Sequence, residues 1–258
     1  FLFWLKKNFG KKKITEISAQ EKLEYFRKMN KSYKFPSFST ISGSGPNSAI
    51  IHYKASIKSN RTLKRGDLYL VDSGGQYSFG TTDVTRTVSL DNQSNYIKEI
   101  YTRVLKGHIA VSNFKIKKNS TGSEVDQNAR KYLKKINLDY PHGTGHGVGC
   151  FLNVHEGPQS LSKNNKINLR DGMIVSNEPG YYKEGAFGIR IENLVCIKKN
   201  KFQELTIAPI EKDLINKKIL NLSEIKWINN YHAKVKKSLF RFMNFQEKID
   251  LTKACSPI

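Results

Sequence analysis

Cysteine, acidic side chains and long apolar runs are all scarce in this chain, and each scarcity removes a class of protein. Cys150, Cys196 and Cys255 are the only cysteines among 258 residues. An odd count with no CxxC spacing signals neither a disulfide framework nor a cysteine-based zinc site. A reducing, cytoplasmic setting is therefore expected. No apolar run approaches the roughly 20 residues that cross a bilayer. The opening Phe1–Leu5 stretch lacks the charged lead, longer apolar centre and small-residue cleavage site of a secretory signal. The chain starts at Phe1 rather than Met, so it is expected to be a fragment of something longer.

Asp and Glu number 22 against 44 Lys and Arg, a net charge of +22. A balance this basic admits a nucleic acid or a membrane surface as partner. The lysines are scattered, however, at Lys11 to Lys13, Lys117 and Lys118, Lys134 and Lys135, and Lys236 and Lys237. They do not interleave with aromatic residues in the manner that stacks bases. A solvated lysine-rich surface is the simpler reading, with neither membrane nor nucleic acid as partner. The length sits at the upper end of single-domain size, so one large domain is the default.

Strands and helices alternate irregularly. Ser18 to Glu21 has the form of a capping box before a helix carrying Leu23 and Phe26. Ala49–Tyr53 reads as a short strand, Asp67–Ser73 as a buried one, Gly74 and Gly75 as a turn, and Asp83–Leu90 as a returning strand. Ile97, Ile100, Tyr101, Val104, Leu105 and Ile109 recur at helical steps. A second capping box, Thr121 to Glu124, precedes another helix. Further strands are expected at Met173–Ser176, Phe187–Val195 and Leu205–Ile207. An amphipathic helix after Ser223 should turn Ile225, Ile228, Tyr231 and Val235 inward. Hairpin-joined groups of this kind argue for an α+β fold rather than a doubly wound one.

Five ionisable residues stand beside glycine-rich turns or inside apolar strands, where a carboxylate must be paired or bound to a metal. Asp72 ends Leu68–Val71, and Asp83 follows eleven residues later in TTDVTRT. His146 lies in HGTGHGVG, Glu178 in VSNEPGYY and Glu192 in GIRIENLVCI. Each alone has an ordinary reading: Asp72 a cap, His146 a core histidine, Glu192 a partner for Arg190. Together, two Asp, two Glu and one His form a hard-oxygen ligand set suited to Mn²⁺, Co²⁺, Fe²⁺ or Zn²⁺. That many carboxylates point to two ions rather than one.

The blocks DSGGQYSFGTTDVTRT, HGTGHGVGCFLNVHEGP and EPGYYKEGAFGIRIEN resemble those of the Xaa-Pro aminopeptidase (aminopeptidase P) family. The likeness runs from about Thr15 to the C-terminus and is greatest to the long, three-domain cytosolic form, whose two N-terminal domains are absent here. It implies a pita-bread fold of two related halves around a dinuclear metal site. Residues 1–211 would form the catalytic domain and 212–258 its helical extension. By resemblance, Asp72 holds one metal, Asp83 and Glu192 bridge both, and His146 and Glu178 complete the second. The two ions, Mn²⁺ foremost, would hold a hydroxide that attacks the carbonyl of the bond before proline. Glu178 would be the general base and His155 an oxyanion donor. His52 and His142 would line the substrate pocket, and Arg190 would orient ligands and substrate. His108 and His232 match nothing catalytic and read as structural or surface residues.

The resemblance also implies a homodimer, with the segment from about Lys212 contributing through a stripe that includes Trp227, Ile228, Tyr231 and Val235. Prolidase, of the same fold, is the alternative activity, with methionine aminopeptidase behind it. A basic, non-enzymatic binding module is the alternative from another class.

Overall fold

Leu68–Val71 is apolar on both faces because it becomes the middle of a sheet. In the computed structural model, which describes residues 1–258, the helices are α1 Leu2–Asn8, α2 Glu16–Lys28, α3 Asn95–Ser112, α4 Gly122–Lys134, α5 Leu222–Leu239 and α6 Phe245–Ala254. The strands are β1 Tyr33–Pro36, β2 Ile41–Ser44, β3 Leu68–Ser73, β4 Gly75–Tyr77, β5 Gly80–Thr81, β6 Val84–Ser89 and β7 Gly145–His146. They continue with β8 Ser160–Leu161, β9 Ile174–Asn177, β10 Gly180–Lys183, β11 Phe187–Arg190, β12 Asn193–Lys198 and β13 Lys201–Glu204. The class is α+β, as expected.

Two three-stranded antiparallel sheets carry the architecture, β2-β3-β6 in the first half and β13-β12-β9 in the second. The hairpin β10–β11 lies against the first sheet: Thr87 Oγ1 both donates to Arg190 O and accepts from Arg190 N, each at 3.0 Å. The chain then crosses to the second sheet at Ile191–Glu192, and Glu192 N donates to Thr85 O at 3.2 Å. This crossing explains why the single strand expected over Phe187–Val195 is two strands with different partners.

The core lies on the helical side of these sheets. Ile100, Tyr101, Val104, Leu105 and Ile109 of α3 share one buried cluster with Ile189, Ile191, Ile228, Tyr231 and Val235. Burying a Leu or Ile side chain stabilises by roughly 1.5–3 kcal/mol, so this cluster anchors the hairpin that carries the crossing. A second cluster joins Val125 and Ala129 of α4 to Val175, Val195 and Ile197. The stripe of α5 is thus occupied within its own domain. The apolar side chains left exposed on the C-terminal segment are others, including Leu222, Phe242 and Phe245. No helix is long and apolar enough to cross a membrane.

Several local expectations shift. The first capping box forms between Thr15 and Ser18, whose side chains exchange backbone bonds of 3.2 and 2.8 Å, so α2 begins before Ser18. Thr121 caps the start of α4 in position only. Its side chain makes no capping bond, and Ser123 N reaches Asn165 O instead. Ala49–Tyr53 is not a strand. Pro46 opens a 3₁₀ turn over Gly45–Ala49, and the chain stays in turns beyond it. Gly75 begins β4 rather than completing a turn. Leu205–Ile207 is displaced by β13, because Lys199 and Asn200 adopt positive φ of 51° and 60° and close a tight two-residue hairpin upstream. His108 and His232 are wholly buried. Helices α1 and α6 carry no periodicity clear enough to have been read.

Candidate metal centre

The sheet registers bring the five ionisable residues together. Asp72 pairs across the ladder with Thr85, and Ser73 with Val84. Asp83 therefore stands immediately before β6 and, two residues from Thr85, on the same face. In the second sheet Asn193 pairs with Asn177, so Glu192 and Glu178 occupy the next rung outward. Each sheet thus ends in two carboxylates, and the crossing at Ile191–Glu192 sets the two ends against each other.

His146 arrives from the glycine-rich segment for a steric reason. A Cβ on Gly145 would lie 1.9 Å from Ser176 O, and one on Gly147 would lie 2.0 Å from Glu156 O. Only glycine lets β7 approach β9 this closely. His146 Nε2 then stands 3.4 Å from Asp83 Oδ2 and 3.5 Å from Glu178 Oε1. His146 Nδ1 faces Gly147 O at 2.9 Å, so in the neutral ring the proton sits on Nδ1 and Nε2 is the nitrogen that can ligate.

Donor atoms gather in three overlapping clusters, each within 4.8 Å: Asp72, Asp83 and Glu192; His146, Glu178 and Glu192; and Asp83, His146 and His155. Asp72 Oδ1 and Asp83 Oδ1 are buried with no hydrogen-bond partner. Orphaned anionic oxygens in a dry site are costly, and cations satisfy them. Electrostatics point the same way. Burial raises Asp72 to about 6, with Asp83 adding to the rise and Arg190 opposing it. Burial likewise lifts Glu178 to about 7, against His146 and Arg190. Burial and the neighbouring carboxylates hold Glu192 well above the carboxylate range. Burial works against the charged form of His146, yet Asp83 and Glu178 lift it to about 9. The donor set fits two divalent cations, with Glu192 and Asp83 each shared between clusters.

Arg190 does not pair with Glu192. Its Nη2 donates to Asp72 Oδ2 at 2.6 Å, Nε to Thr85 Oγ1 at 3.1 Å and Nη1 to Tyr182 Oη at 2.6 Å. Thr85 Oγ1 in turn donates to Glu192 Oε2 at 2.7 Å. Tyr182 Oη lies 2.8 Å from His142 Nε2 and, already accepting from Arg190, donates to it. His142 Nδ1 then donates to Gly143 O at 2.7 Å. This neutral tautomer agrees with burial and Arg190 pushing His142 down to about 4. His155 packs on His146 with ring centroids 4.0 Å apart, and burial and His146 lower its pKa.

The clustered carboxylates, His142, His146, His155 and Arg190 line a cavity of about 440 Å³ together with His52 and Tyr53. All the sequence-derived site residues (Asp72, Asp83, His146, Glu178, Glu192, His52, His142, His155 and Arg190) reach its wall. Three contributors went unread. Tyr182 links Arg190 to His142, and Thr85 links Arg190 to Glu192. Arg86 is buried and donates only to neutral oxygens, among them Glu192 O, Ala208 O and Asn193 Oδ1. Thr85 was visible as the alternate residue to Asp83, whereas Tyr182, eight residues from Arg190 on the other strand of its hairpin, and Arg86 gave no such signal.

Comparison with known proteins places this geometry. Residues 3–199 match metallopeptidase family M24, and residues 199–258 match the C-terminal region of that peptidase family. Aminopeptidase P2 of Arabidopsis thaliana is 46% identical over 250 residues, 91% of this chain and 35% of the relative. Xaa-Pro aminopeptidase 1 of Dictyostelium discoideum is 44% identical over 252 residues, 91% of this chain and 40% of the relative. The solved X-prolyl aminopeptidase of Caenorhabditis elegans, described as a cytosolic enzyme with a dinuclear active site, superposes with a TM-score of 0.93. It shares 38% identity over 100% of this chain and 45% of its own. Prolidase from Pyrococcus furiosus superposes with a TM-score of 0.69 at 34% identity, over 75% of this chain and 56% of its own. The chain belongs to metallopeptidase family M24 and has its pita-bread fold. It spans less than half the length of these three aminopeptidase relatives.

Proposed function

We propose that this chain is the catalytic part of a metal-dependent aminopeptidase that cleaves between an N-terminal residue and a following proline. The observation that carries the reading is the set of three buried carboxylates, the half-buried Glu178 and one imidazole, with two orphaned oxygens, beside a pocket of further imidazoles. The aminopeptidase names of the relatives support it over prolidase. We assign Asp72, Asp83, His146, Glu178 and Glu192 as ligands, with Mn²⁺ the preferred ion for so oxygen-rich a set and Co²⁺, Zn²⁺ or Fe²⁺ alternatives. When bound, the pair of cations supplies an activated water and polarises the scissile carbonyl.

The chain's own groups do the rest. Glu178, its Oε1 held by Ser176 Oγ at 2.9 Å, takes up the proton lost by the nucleophile and returns it to the leaving amine. His155 donates to the oxygen that gains charge as the carbonyl is attacked. Arg190 fixes Asp72. His142 has both ring nitrogens engaged, so it offers the substrate a ring face and packs against proline. His52 lines the same cavity and holds the chain beyond the proline. Proline makes a tertiary amide without an N–H, so a pocket of rings suits it better than one built on hydrogen bonds to that group.

The boundary at residues 211 and 212, a cytoplasmic setting and homodimerisation belong to the same reading. The exposed Leu222, Phe242 and Phe245 are the apolar surface available for a contact, and moderate salt should screen the repulsion between protomers. Light scattering at micromolar concentration tests the dimer: a monomer mass refutes it, and Phe245→Glu should weaken it. The activity is tested by comparing Gly-Pro with a longer peptide bearing proline second. Release of the first residue from the longer peptide supports the aminopeptidase, and cleavage confined to the dipeptide makes the protein a prolidase.

A further inference from the structure

His108 has no place in the chemistry above, yet it is wholly buried between the helix layer and the metal centre. Its Nδ1 lies 3.1 Å from Asn177 O and 3.2 Å from Ile191 O. Both partners are carbonyl oxygens, which only accept, so Nδ1 carries the proton and donates to the two together. Asn177 immediately precedes Glu178, and Ile191 immediately precedes Glu192. One N–H therefore holds the two carbonyls that lead into the outermost rung of the second sheet. The hold is reciprocal, because Asn177 Nδ2 donates back to His108 O at 3.0 Å.

The fold needs a clamp at this place. The β9–β12 ladder ends at the Asn177–Asn193 pair, and beyond it Glu178 N donates to Thr144 O and Glu192 N to Thr85 O. The two strands thus separate toward different partners just where their carboxylates must converge. His108 Nε2 has no polar partner, and the ring meets Trp227 edge-on with centroids 5.8 Å apart. The imidazole is packed as an apolar ring on one side and used as a donor on the other.

We infer that His108 is a positioning residue for the metal centre, its shared N–H setting the separation of Glu178 and Glu192. The inference rests on the two-metal reading, and its test separates the two. His108→Leu fills the space without a donor; His108→Asn restores an N–H near the position of Nδ1. Mn²⁺ alone is titrated into metal-stripped protein of each form, with thermal melting recorded beside it. Removing a group that orients ligands costs about 10–100-fold in metal affinity. The expected result is a loss of that size in His108→Leu with a cooperative melt retained, and recovery of most of it in His108→Asn. Parental affinity in His108→Leu, or equal loss in both variants, overturns the inference by reducing His108 to core volume. The ¹⁵N imidazole spectrum of the metal-stripped parental protein gives a reading independent of metal. A proton on Nδ1 supports the clamp and a proton on Nε2 overturns it. Failure of the parental chain to take up Mn²⁺ would contradict the two-metal reading, and the ¹⁵N spectrum would still decide the clamp.

Discussion

Arg190 Nη2 donates to Asp72 Oδ2 at 2.6 Å, joining β11 to β3 across 118 residues of sequence. Both residues are buried, and no other cation bonds Asp72. Replacing Arg190 by Gln should therefore leave a buried carboxylate unpaired beside three others, a change that typically costs about 3–5 kcal/mol. Denaturant melts of metal-stripped protein check this, and a loss under about 1 kcal/mol would show that solvent or Thr85 already satisfies Asp72.

Tyr182 stands between Arg190 and His142, donating to one and accepting from the other. Tyr182→Phe keeps the ring and removes both bonds. Metal content should stay unchanged, because Tyr182 touches no ligand directly. KM for a peptide with proline second should rise several-fold with a smaller change in kcat, since His142 loses the bond that orients its ring. A fall in kcat alone would place Tyr182 in the chemical step instead.

His155 is the residue whose role geometry leaves most open to measurement, since it shares a donor cluster with Asp83 and His146. As an oxyanion donor, its replacement by Ala should lower turnover about 10²–10³-fold at full metal occupancy. Loss of metal together with activity would make it a ligand.

His232 offers a pH test away from the metal. Its Nε2 accepts from Ile210 N at 3.1 Å, a bond available only to the unprotonated nitrogen. Burial, aided by Lys212 and Arg86, pushes it down to about 4, against about 6.5 in an unfolded chain. Between these values the unfolded state binds a proton that the folded state does not, so stability falls as pH drops from 6.5 toward 4. His232→Gln keeps an acceptor and cannot titrate. Relative to it, the parental chain should lose up to about 1.4 kcal/mol per pH unit in that window. Parallel pH profiles would contradict the assignment.

The proposed ligands stood out because carboxylates inside apolar strands and an imidazole among glycines break the local pattern, and the fold brings them together. The same rule-breaking marked the class of fold, through strands joined as hairpins. What the sequence did not display is long-range. Arg190 looked like a partner for Glu192 two residues away, whereas the strand breaks between them and aims Arg190 at Asp72. Arg86 and His108 are ordinary members of a strand and a helix until tertiary packing sets Arg86 against Glu192 O and His108 against the carbonyls of Asn177 and Ile191. Pro46 and the Lys199–Asn200 turn moved strand boundaries by backbone conformation rather than by hydrophobic pattern. The stripe of α5 could not announce whether its cover was its own core or another chain; its own core holds Ile228, Tyr231 and Val235.

Two cations are proposed to bind where the ends of the two sheets meet. Elemental analysis of Mn²⁺-loaded, desalted protein tests it most directly, with Glu192→Gln measured alongside. Glu192 belongs to two of the three donor clusters, so its loss should impair both ions while the core preserves the fold. About two equivalents per parental chain are expected, as a two-metal site requires, with a large loss in a folded Glu192→Gln. A parental chain holding one equivalent or none, or a Glu192→Gln chain that keeps both, would contradict it.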